Sequence, residues 1–384
     1  MDIYILDRQL RRIQVVDQYE SFIWTERYDA WGDFQIDIRS TRQTRLMFPV
    51  GTWLSIHQSK RVMVVETVED TTNEEGVAVL KVTGRSIEKF MEDRVNRRTF
   101  DPGVWTPGAR TPGNLARHMF DYFCRDNTVN PQDNFPMLKP GTFMPVGTIP
   151  EPTELIEIGF EQMTVYESVQ KICQMYNLGF RLLRKGDIPE LYFDVYTGKD
   201  RTTQQTANAT VIFSTELDNL NSTTELTSIA GVKNTAYVYS KNGGMAVYAD
   251  NVDPLAPGFE RQIVIVKADN IDLPAGAELN AAMEQRGKEE LAKWRPVIAF
   301  DGEISQNGAY IYGIHYDLGD LVEKRNSDSL ATNMRVTEQI FVSDKEGDRS
   351  YPTLTIDMLI TPGSWLAWDG NQVWRDADGT WAEA

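Results

Sequence analysis

Histidine, cysteine and positive charge are all scarce in this chain. Its 384 residues hold three histidines and two cysteines, and 39 Lys and Arg against 56 Asp and Glu leave a formal charge of −17. A pI near 4.7 excludes a surface built to grip phosphate backbones, which draws its affinity from clustered cations. A polymer passing through a channel is a separate case, because a negative wall repels DNA and keeps it from sticking. His57, His118 and His315 lie far apart, with no HExxH and no i,i+4 pair, so each reads as a structural histidine. Cys124 and Cys173 sit in apolar helical patterns, and buried free thiols are expected of them. No run nears the roughly 18 apolar residues of a membrane span. The opening MDIYILDRQLRR, charged at Asp2 and Asp7, lacks the apolar core of a secretory signal, so a soluble chain is expected.

Catalytic motifs are missing as well. There is no GxSxG elbow, no Walker loop and no GxGxxG. Asp376, Asp378 and Gly379 match the opening of a calcium loop, but the later ligands and the closing glutamate are absent, so neither metal nor cofactor is expected. A glycosidase needs only two carboxylates, and Glu66 with Glu338 is one candidate pair. Among 56 acidic residues, however, some pair always offers itself, and a mid-strand glutamate more often faces solvent or a neighbouring subunit. No enzymatic activity is expected.

What is present is enough apolar residue to build real cores: 41% of the chain, with nine tryptophans. The length points to two to four domains. From Phe22 to Gly84 the pattern is dense. Phe34, Ile36 and Ile38 alternate with Gln35 and Asp37, and Trp53, Leu54 and Ile56 follow Gly51, as in half-buried strands. Near the C-terminus the grammar returns: Gly51, Glu66-Thr67-Val68, Gly76 and Leu80-Lys81-Val82 have counterparts in Gly319, Glu338-Gln339-Ile340, Gly347 and Leu354-Thr355-Ile356. Two readings stand, a repeated module or the shared grammar of any two hairpins.

The segment Trp24 to Asp37, with Gly51 to Ile56, Val65 to Asp70 and Val82-Thr83-Gly84 ahead of SIEKFMEDR, resembles the N-terminal module of siphovirus minor tail proteins of the baseplate or tail-tip hub. The Gly319 and Val336 to Leu354 region is similar to the second barrel of such hubs, among them the two-barrel myovirus hub. The resemblance implies two barrels per chain and a homotrimer presenting six similar faces. It implies as partners the distal tail protein ring, the tape-measure protein and other tail-tip proteins, in a virion tail tip assembled in the host cytoplasm, with DNA crossing the lumen unbound.

The expected fold class is α+β, mostly β: two small antiparallel β-barrel-like domains, an intervening α+β domain, and a helical insertion in the second barrel. The first barrel takes 1–95, including two short strands within 3–16 and a helix from Arg85 to Arg94. The α+β domain takes 96–215, with Pro/Gly-rich loops, a helix opening at Thr111-Pro112, a second capped by Thr164 and Glu167, and a hairpin through Phe180 and Phe193. The second barrel takes 216–362, with a strand-helix insertion at about 245–296 and a strand from Tyr310 to Tyr316. Residues 363–384 form a tail whose Trp365, Trp368, Trp374 and Trp381 either dock a partner or fold back on the second barrel. Rival functions are a carbohydrate-binding, receptor-recognising tip protein and a cell-wall hydrolase.

Overall fold

The computed structural model describes residues 1–72, 76–98, 105–144, 147–217, 219–228, 230–249, 258–268, 271, 273–294, 297–304, 310–325 and 331–356. They fall into two units, the first gathering 1–224, 301–324 and 333–354, the second built around 225–300.

The first unit opens with β1 (Ile3–Leu6), β2 (Arg12–Val16), β3 (Ser21–Arg27) and β4 (Asp33–Arg39), a short helix α1 (Arg42–Met47), then β5 (Trp53–Ile56), β6 (Met63–Thr72) and β7 (Ala78–Ser86). Their period-two alternation sends one set of side chains to a common interior. Phe22, Trp24, Phe34, Ile36, Leu54, Ile56, Met63, Val65, Leu80 and Val82 form one core. Each fully buried large side chain of this kind contributes about 1.5–3 kcal/mol. Neighbours pair in antiparallel register, β3 with β4, β4 with β7, β7 with β6, β6 with β5, and β5 with β1. Among the described residues no ladder closes these strands into the expected barrel. The segments leading into β1 and β3 are instead tied where the Tyr19 hydroxyl donates to the Met1 carbonyl and lies 2.9 Å from Ser343 Oγ of the later chain. The helix expected over 85–94 is shorter: Arg85 and Ser86 belong to β7, where Gly32 N–H donates to Ser86 Oγ and Ser86 N–H to Gly32 O. Only a 3-10 turn, Ile87–Met91, follows.

Strand β5 is buried on both faces because a second core lies behind it. Trp53, Val62 and Val64 pack there with α2 (Pro112–Phe120), with α3 (Val165–Met175) and with β9 (Gly179–Arg184) and β10 (Leu191–Tyr196); β10 also pairs in parallel with β8 (Leu138–Lys139). Helix α2 begins after Thr111 with Pro112 and runs into a π turn, Asp121–Arg125. Helix α3 has the capping box its sequence announces, Glu167 N–H donating to Thr164 Oγ1 and Thr164 N–H to Glu167 Oε2. The β9–β10 hairpin pairs Phe193 with Leu182, and Phe193 stacks on Phe120 at 3.9 Å between ring centroids.

The chain continues through β11 (Ile212–Ser214) and β12 (Leu220–Ser228). The second unit holds β13 (Thr235–Ser240), β14 (Gly243–Tyr248) and β15 (Ile263–Lys267), with α4 (Ala277–Leu291) packed on one face through Leu279, Met283 and Leu291. After it come β16 (Val297–Ile304), β17 (Leu321–Arg325), β18 (Ala331–Asp344) and β19 (Gly347–Ile356). Between β16 and β17 the strand expected at 310–316 is absent. Gly313, at φ 78°, turns the chain, leaving a single bridge between Tyr312 and Tyr316.

One strand order occurs twice. β3-β4-β7-β6-β5-β1 is matched by β12-β16-β19-β18-β17-β11, member for member and in the same chain order. β3 on β18 joins the two sets, with Glu338 opposite Arg27 through Ser343 opposite Phe22. The repeat also fixes an alignment. Gly51 N–H donates to Val65 O and Val65 N–H to Thr52 O; Gly319 N–H donates to Val336 O and Val336 N–H to Asp320 O. Gly51 and Gly319 therefore correspond, as the sequence suggests. Glu66 and Glu338 do not, because Val65 and Val336 are the matching residues and Glu66 sits in a bulge between Val65 and Thr67.

Candidate assembly surfaces

The residues that sequence reasoning weighed for chemistry are scattered or neutralised. Glu66 accepts from Arg85 and from Lys89. Burial alone would raise its carboxyl, but those two cations hold it below the usual range. Glu338 accepts from Arg27 Nε at 2.6 Å. Both glutamates are held in ion pairs. His118 stacks against Trp105, where burial and then Arg110 push its pKa down. His315 Nδ1 accepts from Ile311 N–H, and His57 is exposed. Cys124 and Cys173 are buried free thiols, raised by desolvation and thus poor nucleophiles. Among the described residues no group of three or more His, Cys, Asp or Glu is placed to hold a metal. Asp376, Asp378 and Trp365, Trp368, Trp374 and Trp381 lie outside the described residues.

One charge cluster is sealed in the core. Arg61, 2% exposed, faces Glu26 at 3.8 Å and Glu88 at 3.6 Å and donates to Arg27 O at 2.6 Å. Glu26 also accepts from Trp24 Nε1 and the Tyr312 hydroxyl, and Glu88 from Leu182 N–H. Desolvation opposes the charge on Arg61, yet the two carboxylates outweigh it and keep the guanidinium protonated. This cluster fastens β3, β9 and the 310–316 turn together, and no substrate can approach it.

What the surface offers is backbone and apolar area. β6 is covered by β5 only at Met63 and Val64, plus the Val65 bonds already described, so the far edge of Thr67–Thr72 carries no strand among the described residues. Thr67, Glu69, Asp70, Thr71 and Thr72 are exposed. At the other end of the strand order, β12 pairs only with β16 among the described residues. Leu46, 73% exposed, lines an open depression with Gln14, Arg42, Gln43 and Met47, and Val50 is 66% exposed. In the second unit, Val264 and Val266 of β15 turn toward α4 while Ile263 and Ile265 face away and are exposed, as is Tyr239. Apolar residues at both parities of IVIVK were the sequence signal that both faces of that sheet are built for cover, and α4 supplies only one.

Comparison with known proteins adds the family. The Siphovirus ReqiPepy6 Gp37-like protein family matches residues 2–354. The fold is similar to the tail protein from Neisseria meningitidis MC58, at TM-score 0.57 and 13% identity over 94% of this chain and 99% of that one. It is also similar to the 43 kDa tail protein of prophage MuSo2 from Shewanella oneidensis, at TM-score 0.52 and 13% identity over 92% and 97%. No curated protein matches the chain. A repeated β module with open strand edges suits a part of a larger assembly, and the chain belongs to the Siphovirus ReqiPepy6 Gp37-like family, with a fold similar to that of phage tail proteins.

Proposed function

We propose that this tail protein is the hub of the tail tip, with three copies forming a ring around the DNA exit channel. Each copy contributes two alike, barrel-like β modules, so three chains meet the sixfold tail above as six equivalent faces while presenting threefold symmetry to the tip below. The observation that carries this reading is the strand order that occurs twice in one chain. The first module takes 1–95 and the second 216–362 together with β11 just ahead of it, with an α+β domain over the rest of 96–215 between them and Trp365, Trp368, Trp374 and Trp381 as docking anchors in the C-terminal tail. The ring sits between the distal tail protein ring and the tape-measure protein and other tip proteins, and its role is mechanical, with no catalysis. A net charge of −17 supplies a channel wall that repels DNA and lets it slide. Electron cryomicroscopy of purified tails tests the proposal: three copies around the lumen at the tip are expected. One or six copies, a position away from the channel, or a lumen lined by Arg and Lys overturns it.

A further inference from the structure

We infer that the open edge of β6 receives β12 from a second copy of this chain, in the register by which β3 lies on β18. The inference rests on the ring proposed above and specifies how its members are joined. Within one chain, β3 of the first strand set lies antiparallel on the half of β18 that follows Val336. Position by position, β12 stands for β3 and β6 stands for β18. The junction therefore exists once inside the chain, and its two halves recur with no strand partner among the described residues: the half of β6 that follows Val65, and the outer edge of β12.

The occupant is a second copy because, among the described residues, the one strand that repeats the place of β3 is β12. The sequence agrees, since Thr224-Glu225 in β12 repeats Thr25-Glu26 in β3. With Val65 aligned on Val336 and residues counted straight through Glu66, the pairing of Ile340 with Thr25 maps to Glu69 opposite Thr224, and to the adjacent Asp70 if the bulge residue is passed over. The first set of one copy would then accept the second set of the next. Such a head-to-tail contact is heterologous and gives a ring only when its rotation closes. A regular edge strand left bare is an aggregation hazard; this one has only Glu69 and Asp70 to discourage stray partners.

The test uses tails assembled from a mixture of two chains, one carrying Glu69→Cys and the other Thr224→Cys. Residues directly opposite in an antiparallel pair stand about 4.5–5.5 Å apart at Cα, within disulfide range, and the native Cys124 and Cys173 are buried. Under mild oxidation a covalent dimer is expected in the mixture and at least tenfold less in either variant alone. A chain carrying both substitutions is expected to yield covalent trimers. If tails hold three copies but neither this pair nor the pairs one residue to either side cross-link, the strand junction is wrong and the ring stands. If tails hold a single copy, ring and junction fall together.

Discussion

Gly51 and Gly319 occupy the same place in the two strand sets and share a φ of 87°, yet their surroundings differ. A Cβ on Gly51 would meet only the end of Arg8, at 3.4 Å; a Cβ on Gly319 would stand 2.4 Å from the Tyr28 ring. Tyr28 also presses on Gly179 and donates from its hydroxyl to Asn177 O and Tyr196 O. One position of the repeat is free to be merely a turn. The other has become the seat of a ring that fastens β3, β9 and β17. The strand order is common to both sets, and the contacts that bind the unit together gather on the second.

Six substitutions break or sharpen that contrast, beginning with the largest effect. Arg61→Met leaves Glu26 and Glu88 buried without their cation and is expected to cost about 3–5 kcal/mol by urea denaturation, because breaking a buried ion cluster strands its other members. Adding Glu88→Gln should recover part of that loss, and strict additivity would contradict the cluster. Gly319→Ala is expected to cost roughly 3 kcal/mol and Gly51→Ala roughly 1 kcal/mol, since both meet the left-handed backbone but only the first displaces an aromatic ring. Equal losses would break the contrast. Thr164→Ala, outside both strand sets, removes a helix cap and should lower stability by about 1 kcal/mol.

Glu66→Gln is the smallest, at under about 1 kcal/mol near neutrality for a partly exposed pair. Its sign with pH is fixed. Burial tends to raise the Glu66 carboxyl, but Arg85 and Lys89 leave it below the ordinary 4.5. A depressed carboxyl contributes stability that is full above its unfolded value and lost as pH falls through its folded one. Wild type and variant should therefore converge in thermal melts below about pH 4, where ordinary glutamates protonate, and a gap that widens on acidification would refute the assignment.

Local features were legible in the sequence wherever the physics is local. The alternation over Phe34 to Ile38, the Thr164 box, Pro112 at a helix start and the β9–β10 hairpin each need only neighbouring residues. β12 was missed as a strand because LNSTTELTS has no apolar alternation; its pairing comes from β16, a partner far along the chain. Tyr310 to Tyr316 alternates like a strand, but Gly313 bends it and its tyrosines pack individually, Tyr316 donating to Gln339 and Tyr312 to Glu26. The glutamate equivalence failed because, counted from the matching residues Val65 and Val336, Glu66 stands one position on and Glu338 two. Nothing in either strand's own sequence announces the β3–β18 ladder, so the open edge opposite it was equally out of reach.

That ladder has a consequence in time. Arg27 and Glu338, which it brings together, are 311 residues apart. At about 5–20 residues per second of synthesis, β3 waits roughly 15–60 s for its partner to leave the ribosome. Throughout that interval the nascent N-terminal half exposes a bare strand, and on a crowded polysome the nearest β18 belongs to a neighbouring chain. Yield of correctly assembled protein should therefore fall as translation initiation is made denser, independently of how stable the finished molecule is.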